Sequence, residues 1–134
     1  MRITRGRLKK SSVCWLENGK VRIVMGIACV SLAEALLKGP PPSGNLAVPI
    51  FAHGSLVVEL YTPKGADPQK PHDRDEVYLV ARGTGLFFDG RARHVVAVGS
   101  FVFVAAAQEH RFENFSEDFA VWVFFYGPTG GESN

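Results

Sequence analysis

Three residues of this chain have the types and spacing to do chemistry together: a histidine, a glutamate four positions on, and a second histidine that ends an apolar run. The first two lie in Pro71-His72-Asp73-Arg74-Asp75-Glu76, and the third closes the stretch from Gly99 to His110. On extended backbone, residues an even number apart point to one face. His72 and Glu76 are therefore expected to look inward together, with His110 meeting them from a paired strand. Two imidazoles and one carboxylate on neighbouring strands make a facial metal site with open positions, a donor set that suits redox-active iron and related divalent metals. Tyr78 shares the parity of Glu76. Its hydroxyl is placed either to donate a hydrogen bond within this pocket or to be satisfied by a core neighbour.

Those residues need strands to hold them, and the sequence supplies strands. Short apolar runs separated by turn residues cover Ala47–Phe51, Ser55–Tyr61, Glu76–Arg82, Gly85–Phe88, His94–Val98, Phe101–Ala105, His110–Phe115 and Phe119–Tyr126. In Ser55–Tyr61 the residues Leu56, Val58 and Leu60 alternate against Val57 and Glu59. Asp89-Gly90 marks a hairpin and Gly99-Ser100 another tight reversal. Regular short strands of this kind predict an all-β sandwich or barrel. One helix precedes them: Ser31 is an N-cap with Glu34 three residues later, and Gly39 with Pro40, Pro41 and Pro42 ends it. Its stripe of Leu32, Ala35 and Leu36 is expected to pack on the outside of a sheet. The last strand is apolar on both faces, Trp122, Phe124 and Tyr126 on one and Val121, Val123 and Phe125 on the other. It must be covered twice, by the interior and the helix or by a partner subunit.

The 134 residues, 46% hydrophobic and 21% charged, correspond to one globular domain and exclude a disordered chain. The four divisions expected are a basic and apolar extension over residues 1–30, a short helix and proline-rich linker over 31–44, the β-domain over 45–127, and a flexible tail over 128–134. Charge is uneven. Residues 1–24 carry seven basic side chains (Arg2, Arg5, Arg7, Lys9, Lys10, Lys20, Arg22) against Glu17, a net +6, while the remainder carries −4. A single aromatic, Trp15, lies among those charges, fewer than a single-strand binder requires, so nucleic acid is not an expected partner, and Met25 offers an alternative start. The apolar stretch from Val21 to Leu37 is interrupted by Arg22, Ser31 and Glu34 and falls short of the roughly 20 residues a membrane helix needs. Cys14 and Cys29 lack ligand-like spacing, which fits a reducing cytoplasm. His53 and His94 sit beside turns and read as solvated. Arg74 reads as reaching solvent at the mouth.

Spacing then extends the match. His72, Glu76 and Gly83 stand at the intervals of the second histidine, the glutamate and the closing glycine of the first cupin motif. Gly99, His110 and Asn114 follow the second motif, with Ala105 and Ala107 where proline and glycine are usual. From Gln69 to Asn114 the chain resembles the cupin superfamily, in its small single-domain form. The resemblance implies a jelly-roll β-barrel and a divalent metal at its centre (iron, manganese, nickel or zinc) held by His72, Glu76 and His110. It departs at Lys70, which occupies the position of the first histidine and cannot donate a lone pair when protonated. Gln69 beside it offers an amide oxygen as a fourth ligand. The activity implied is that of a dioxygenase-type enzyme acting on a small molecule inside the barrel. The alternatives are a non-catalytic ligand-binding or sensor cupin, or a sugar isomerase or epimerase. A homodimer is implied by the family's habits.

Overall fold

Alternation of branched and aromatic residues with polar ones sets most of the strands, and turn glycines end them. The structure is a computed structural model that describes residues 16–17, 20–21, 23 and 25–134. The arm residues Arg2, Arg5, Arg7, Lys9, Lys10 and Arg22, and Cys14, lie outside the described residues. Two short strands, β1 (Leu16–Glu17) and β2 (Lys20–Val21), pair with each other, and the helix α1 spans Leu32–Leu36. The strands that follow are β3 (Val48–His53), β4 (Leu56–Tyr61), β5 (Asp75–Arg82), β6 (Thr84–Phe88), β7 (Arg93–Ala97), β8 (Phe101–Val104), β9 (Arg111–Glu113) and β10 (Ala120–Tyr126).

They form two antiparallel sheets, one five-stranded in the order β3-β4-β10-β5-β8 and one three-stranded in the order β7-β6-β9. The all-β jelly-roll expectation holds, with the barrel taking the form of two facing sheets. The core between them is aromatic. Tyr78 from β5 packs edge-on to Phe112 at 5.0 Å and near Phe87 at 6.1 Å, and Phe112 in turn meets Phe119. Edge-to-face rings at such separations add to the apolar burial that holds the sheets together.

A second core lies on the outer face of the large sheet. Ala35 of α1 is fully buried there with Ile50, Leu60 and Ala120, and Trp122 and Phe124 pack against the group. This accounts for the double apolar face of β10, whose Val121 and Val123 belong to the inner core. Ser31 Oγ caps α1 by accepting from Glu34 N at 3.1 Å. The Glu34 carboxylate accepts from the Ser31 hydroxyl, so the cap is local and reciprocal. After β10, Gly130 N donates to Asp73 O and Glu132 N to Asp75 Oδ2.

Gly83 turns the chain from β5 into β6 and does so at φ +78°, where only glycine is unstrained. A Cβ there would collide with Ser116 Oγ and sit 3.0 Å from Phe119 Cα. Gly83→Ala therefore combines backbone strain with a clash against main chain. It is expected to cost more than about 2 kcal/mol, read as a lowered urea midpoint with an unchanged slope.

Candidate metal centre

Asp75 to Arg82 run extended, so Glu76, Tyr78 and Val80 face the interior in turn, and each is 2% exposed or less. Register across the sheet places Glu76 opposite Phe125 and Tyr78 opposite Val123 on β10. His72 lies in the loop before β5, and its ring stands edge-on to Phe125 at 5.0 Å. His110 arrives by another route than the sequence suggests. It sits immediately before β9, which pairs with β6 in the smaller sheet, whereas β5 is flanked by β10 and β8. The candidate centre thus spans both sheets rather than neighbouring strands of one. The chain crosses to the large sheet after β7 and returns to the small one after β8, which brings in His110.

The three side chains do come together. Their donor atoms all lie within 4.8 Å of one another, with His72 Nε2 at 3.8 Å from Glu76 Oε2 and His110 Nε2 at 2.6 Å from Glu76 Oε1. First-row ions take nitrogen and oxygen ligands at about 2.0–2.2 Å, so donors around one ion stand no more than about 4.4 Å apart. Donors on one face of such an ion stand about 3 Å apart, so side-chain adjustments of about an ångström would bring the triad onto it.

The chemistry of the donors argues in the same direction. His110 Nδ1 lies 2.8 Å from the Gln108 carbonyl, which can only accept, so Nδ1 carries a proton. In the neutral ring Nε2 is then a bare lone pair facing a carboxylate oxygen. Both oxygens of Glu76 are buried, and neither has an aligned hydrogen bond, the close approach of His110 included. Acceptors pointed at one another in a dry interior require either a proton or a cation between them. Burial opposes charge on His110, but the Glu76 carboxylate and the Gln108 carbonyl outweigh it and raise its pKa above the ordinary histidine value. The residues present fit a divalent metal ion.

Lys70 is exposed and takes no part, whereas Gln69 is half-buried and lines the cavity. Asp67 decides how Gln69 is oriented. Its Oδ2 accepts from Gln69 Nε2 and, at 2.8 Å, from Phe112 N, while Oδ1 accepts from Tyr61 OH and from Gln69 N at 3.1 Å. With its amide nitrogen committed, Gln69 presents Oε1 to the site, 2.7 Å from Tyr78 OH and 3.3 Å from His72 Nε2. The Tyr78 hydroxyl donates to that oxygen and lies 2.9 Å from His110 Nε2, so it joins the fourth candidate donor to a triad member. Burial and the nearby Glu76 charge push its pKa up, and it remains a neutral phenol.

A cavity of about 190 Å³ opens on this cluster. Its wall includes Tyr61, Val123, Phe125 and the segment from Gly44 to Ala47. It also includes Glu59, which the sequence reading did not place inside. Burial, and then the neighbouring Glu76, raise the Glu59 pKa. The alternation in β4 held the signal, since Leu56, Val58 and Leu60 take the helix-covered face and leave Glu59 to the interior. Asp67, in a loop between prolines, gave no such signal. Phe112 shares the face of His110 but packs in the core below Tyr78 rather than along the cavity. Arg74 donates to the carbonyls of Gly127 and Ser55, and neither it nor the exposed His53 and His94 line the cavity.

Comparison with known proteins gives the same fold. A family model described as Cupin domain matches residues 57–126, just over half of the chain. An uncharacterized protein of Streptomyces coelicolor is 45% identical over 62 residues, which are 46% of this chain and 59% of that relative. A cupin-2 domain containing protein from Shewanella frigidimarina superposes with a TM-score of 0.60 at 15% identity, covering 73% of this chain and 94% of its own. An HTH_3 family transcriptional regulator from Vibrio cholerae superposes at 0.52 and 16% identity over 61% of this chain and 50% of the regulator.

Proposed function

Because the chain belongs to the cupin domain family, we propose that it is a metal-dependent enzyme of the dioxygenase type, acting on a small molecule held between its two sheets. In this reading His72, Glu76 and His110 hold a divalent ion, and Gln69 supplies a fourth donor where the family motif has a histidine. The observation that carries it is Glu76, a buried carboxylate without an aligned hydrogen bond and with an imidazole nitrogen 2.6 Å away. A carboxylate so placed costs several kcal/mol unless a cation compensates it.

A bound ferrous ion would relay electrons from the organic substrate to dioxygen, whereas zinc would supply a Lewis acid alone. The chain's own residues do the rest. Gln108 fixes the His110 tautomer through Nδ1, and Asp67 fixes the Gln69 amide. The Tyr78 phenol keeps its proton beside the donors. Val123 and Phe125 exclude water from one wall. The cavity falls below the roughly 300–1,000 Å³ of drug-sized sites, so a small molecule is the expected substrate.

A second reading, metal-assisted acid–base chemistry such as isomerisation, gains support from Glu59. It is a carboxyl group in the cavity that is not among the ligands. A third, non-catalytic ligand binding, predicts a bound small molecule without metal.

Protein purified without a histidine tag or added metal is expected to contain about one transition-metal ion per chain, and His110→Ala to contain almost none. Oxygen uptake with Fe(II) but not Zn(II) would support the dioxygenase reading over the acid–base one. Metal content unchanged by His110→Ala would overturn the ligand set.

A further inference from the structure

Across β10 from Tyr78, the cavity has a second polar group that is not among the candidate ligands. Glu59 and Tyr78 are both register partners of Val123, on β4 and β5 to either side of β10. Their backbones are therefore two strand spacings apart, about 10 Å, and both side chains line the same cavity. No side chain or amide among the described residues hydrogen-bonds the Glu59 carboxylate. Nor does a lysine or arginine line the cavity among those residues. Its lining carries the carboxylates of Glu59 and Glu76 and the imidazole of His72.

Resting on the metal-centre reading, we infer that Glu59 is the specificity-determining residue of the cavity: it accepts a hydrogen bond from a hydroxyl, amide or amino group of a neutral or cationic substrate and turns anions away. The ligand cluster takes oxygen atoms at one end of the molecule, and Glu59 selects the donor at the other. A carboxylate or phosphate pointing at Glu59 would meet like charge, with no lysine or arginine of the cavity lining among the described residues to relieve it, which is specificity by repulsion as well as by attraction. Truncating the donor would leave the half-buried Glu59 without its partner, so matched and unmatched ligands separate.

Two small oxygen chelators test this: acetohydroxamate, which carries an N–H, and oxalate, a dianion. Full-length protein loaded with Ni(II) is titrated with each by calorimetry, as wild type, Glu59→Gln, Glu59→Ala and, for background, His110→Ala. The wild-type preference for acetohydroxamate over oxalate is expected to fall at least about tenfold in both Glu59 variants, with oxalate affinity rising. Glu59→Gln is isosteric and should keep the thermal midpoint, so a lost preference there is not a lost fold. Chelator binding with an unchanged preference would overturn the role of Glu59 and leave the metal centre standing. No chelator binding above the His110→Ala background would overturn the metal centre itself, and this inference with it.

Discussion

Glu76→Gln is expected to strengthen the metal-free protein at alkaline pH, where His110 is neutral, while destroying its metal affinity. The variant keeps the size of the side chain and removes a buried charge whose oxygens have no aligned partners. In the presence of a chelator, and above the raised His110 pKa, this should raise stability by about 1–3 kcal/mol, the cost of a buried unsatisfied polar group. With Mn(II) or Fe(II) supplied, affinity should fall by more than about a hundredfold, beyond what loss of a supporting residue causes. The pH dependence sharpens the test. His110 is raised above its unfolded value, with burial opposing and Glu76 outweighing it. Its contribution to stability is therefore complete below the ordinary histidine pKa and is lost as pH rises through the raised one. Glu76→Gln removes the cause, so the advantage of the variant over metal-free wild type should grow towards alkaline pH. Thermal melts across pH 5 to 10 in chelator read this directly. An advantage that shrinks with pH would refute the account of the pair.

Asp67→Ala is expected to be the most destabilising single change in the site. Its carboxylate accepts from Tyr61 OH, Gln69 N, Gln69 Nε2 and Phe112 N, and both Tyr61 and Phe112 are buried. Removing it orphans at least two buried donors, a loss of about 3–5 kcal/mol. Asp67→Asn should cost less, because only one of its two terminal atoms still accepts. Both variants free the Gln69 amide to turn its nitrogen towards His72. Metal affinity, measured at a temperature where each variant is folded, should drop about ten- to a hundredfold. A purely structural role would lower the melting point and leave the affinity of the folded protein alone.

What the sequence made legible follows the range of the interactions involved. The helix and the strands are local, set by a cap at Ser31, by alternation, and by turns such as Asp89-Gly90. They appear where expected, with ends shifted by one to three residues. The grouping of His72, Glu76 and His110 was legible from motif spacing, and so was the place of Gln69 beside it. The origin of His110 was not, because the order of strands in a sheet is a long-range property that no spacing encodes. Glu59 stayed hidden for a related reason. A strand with one apolar face and a carboxylate on the other reads as half-exposed, until a helix is known to cover the apolar side. Asp67 is a loop residue whose four donors come from three places in the chain.

Because the carboxylate hangs from the large sheet and one imidazole from the small one, whatever grips both is a cross-brace between the halves of the jelly roll. Its binding free energy becomes folding free energy, growing by about 1.4 kcal/mol for each tenfold rise in free ion above the dissociation constant. If the ion is held as proposed, heat tolerance in this protein would gauge its metal supply, and a starved cell would hold a softer molecule than a replete one.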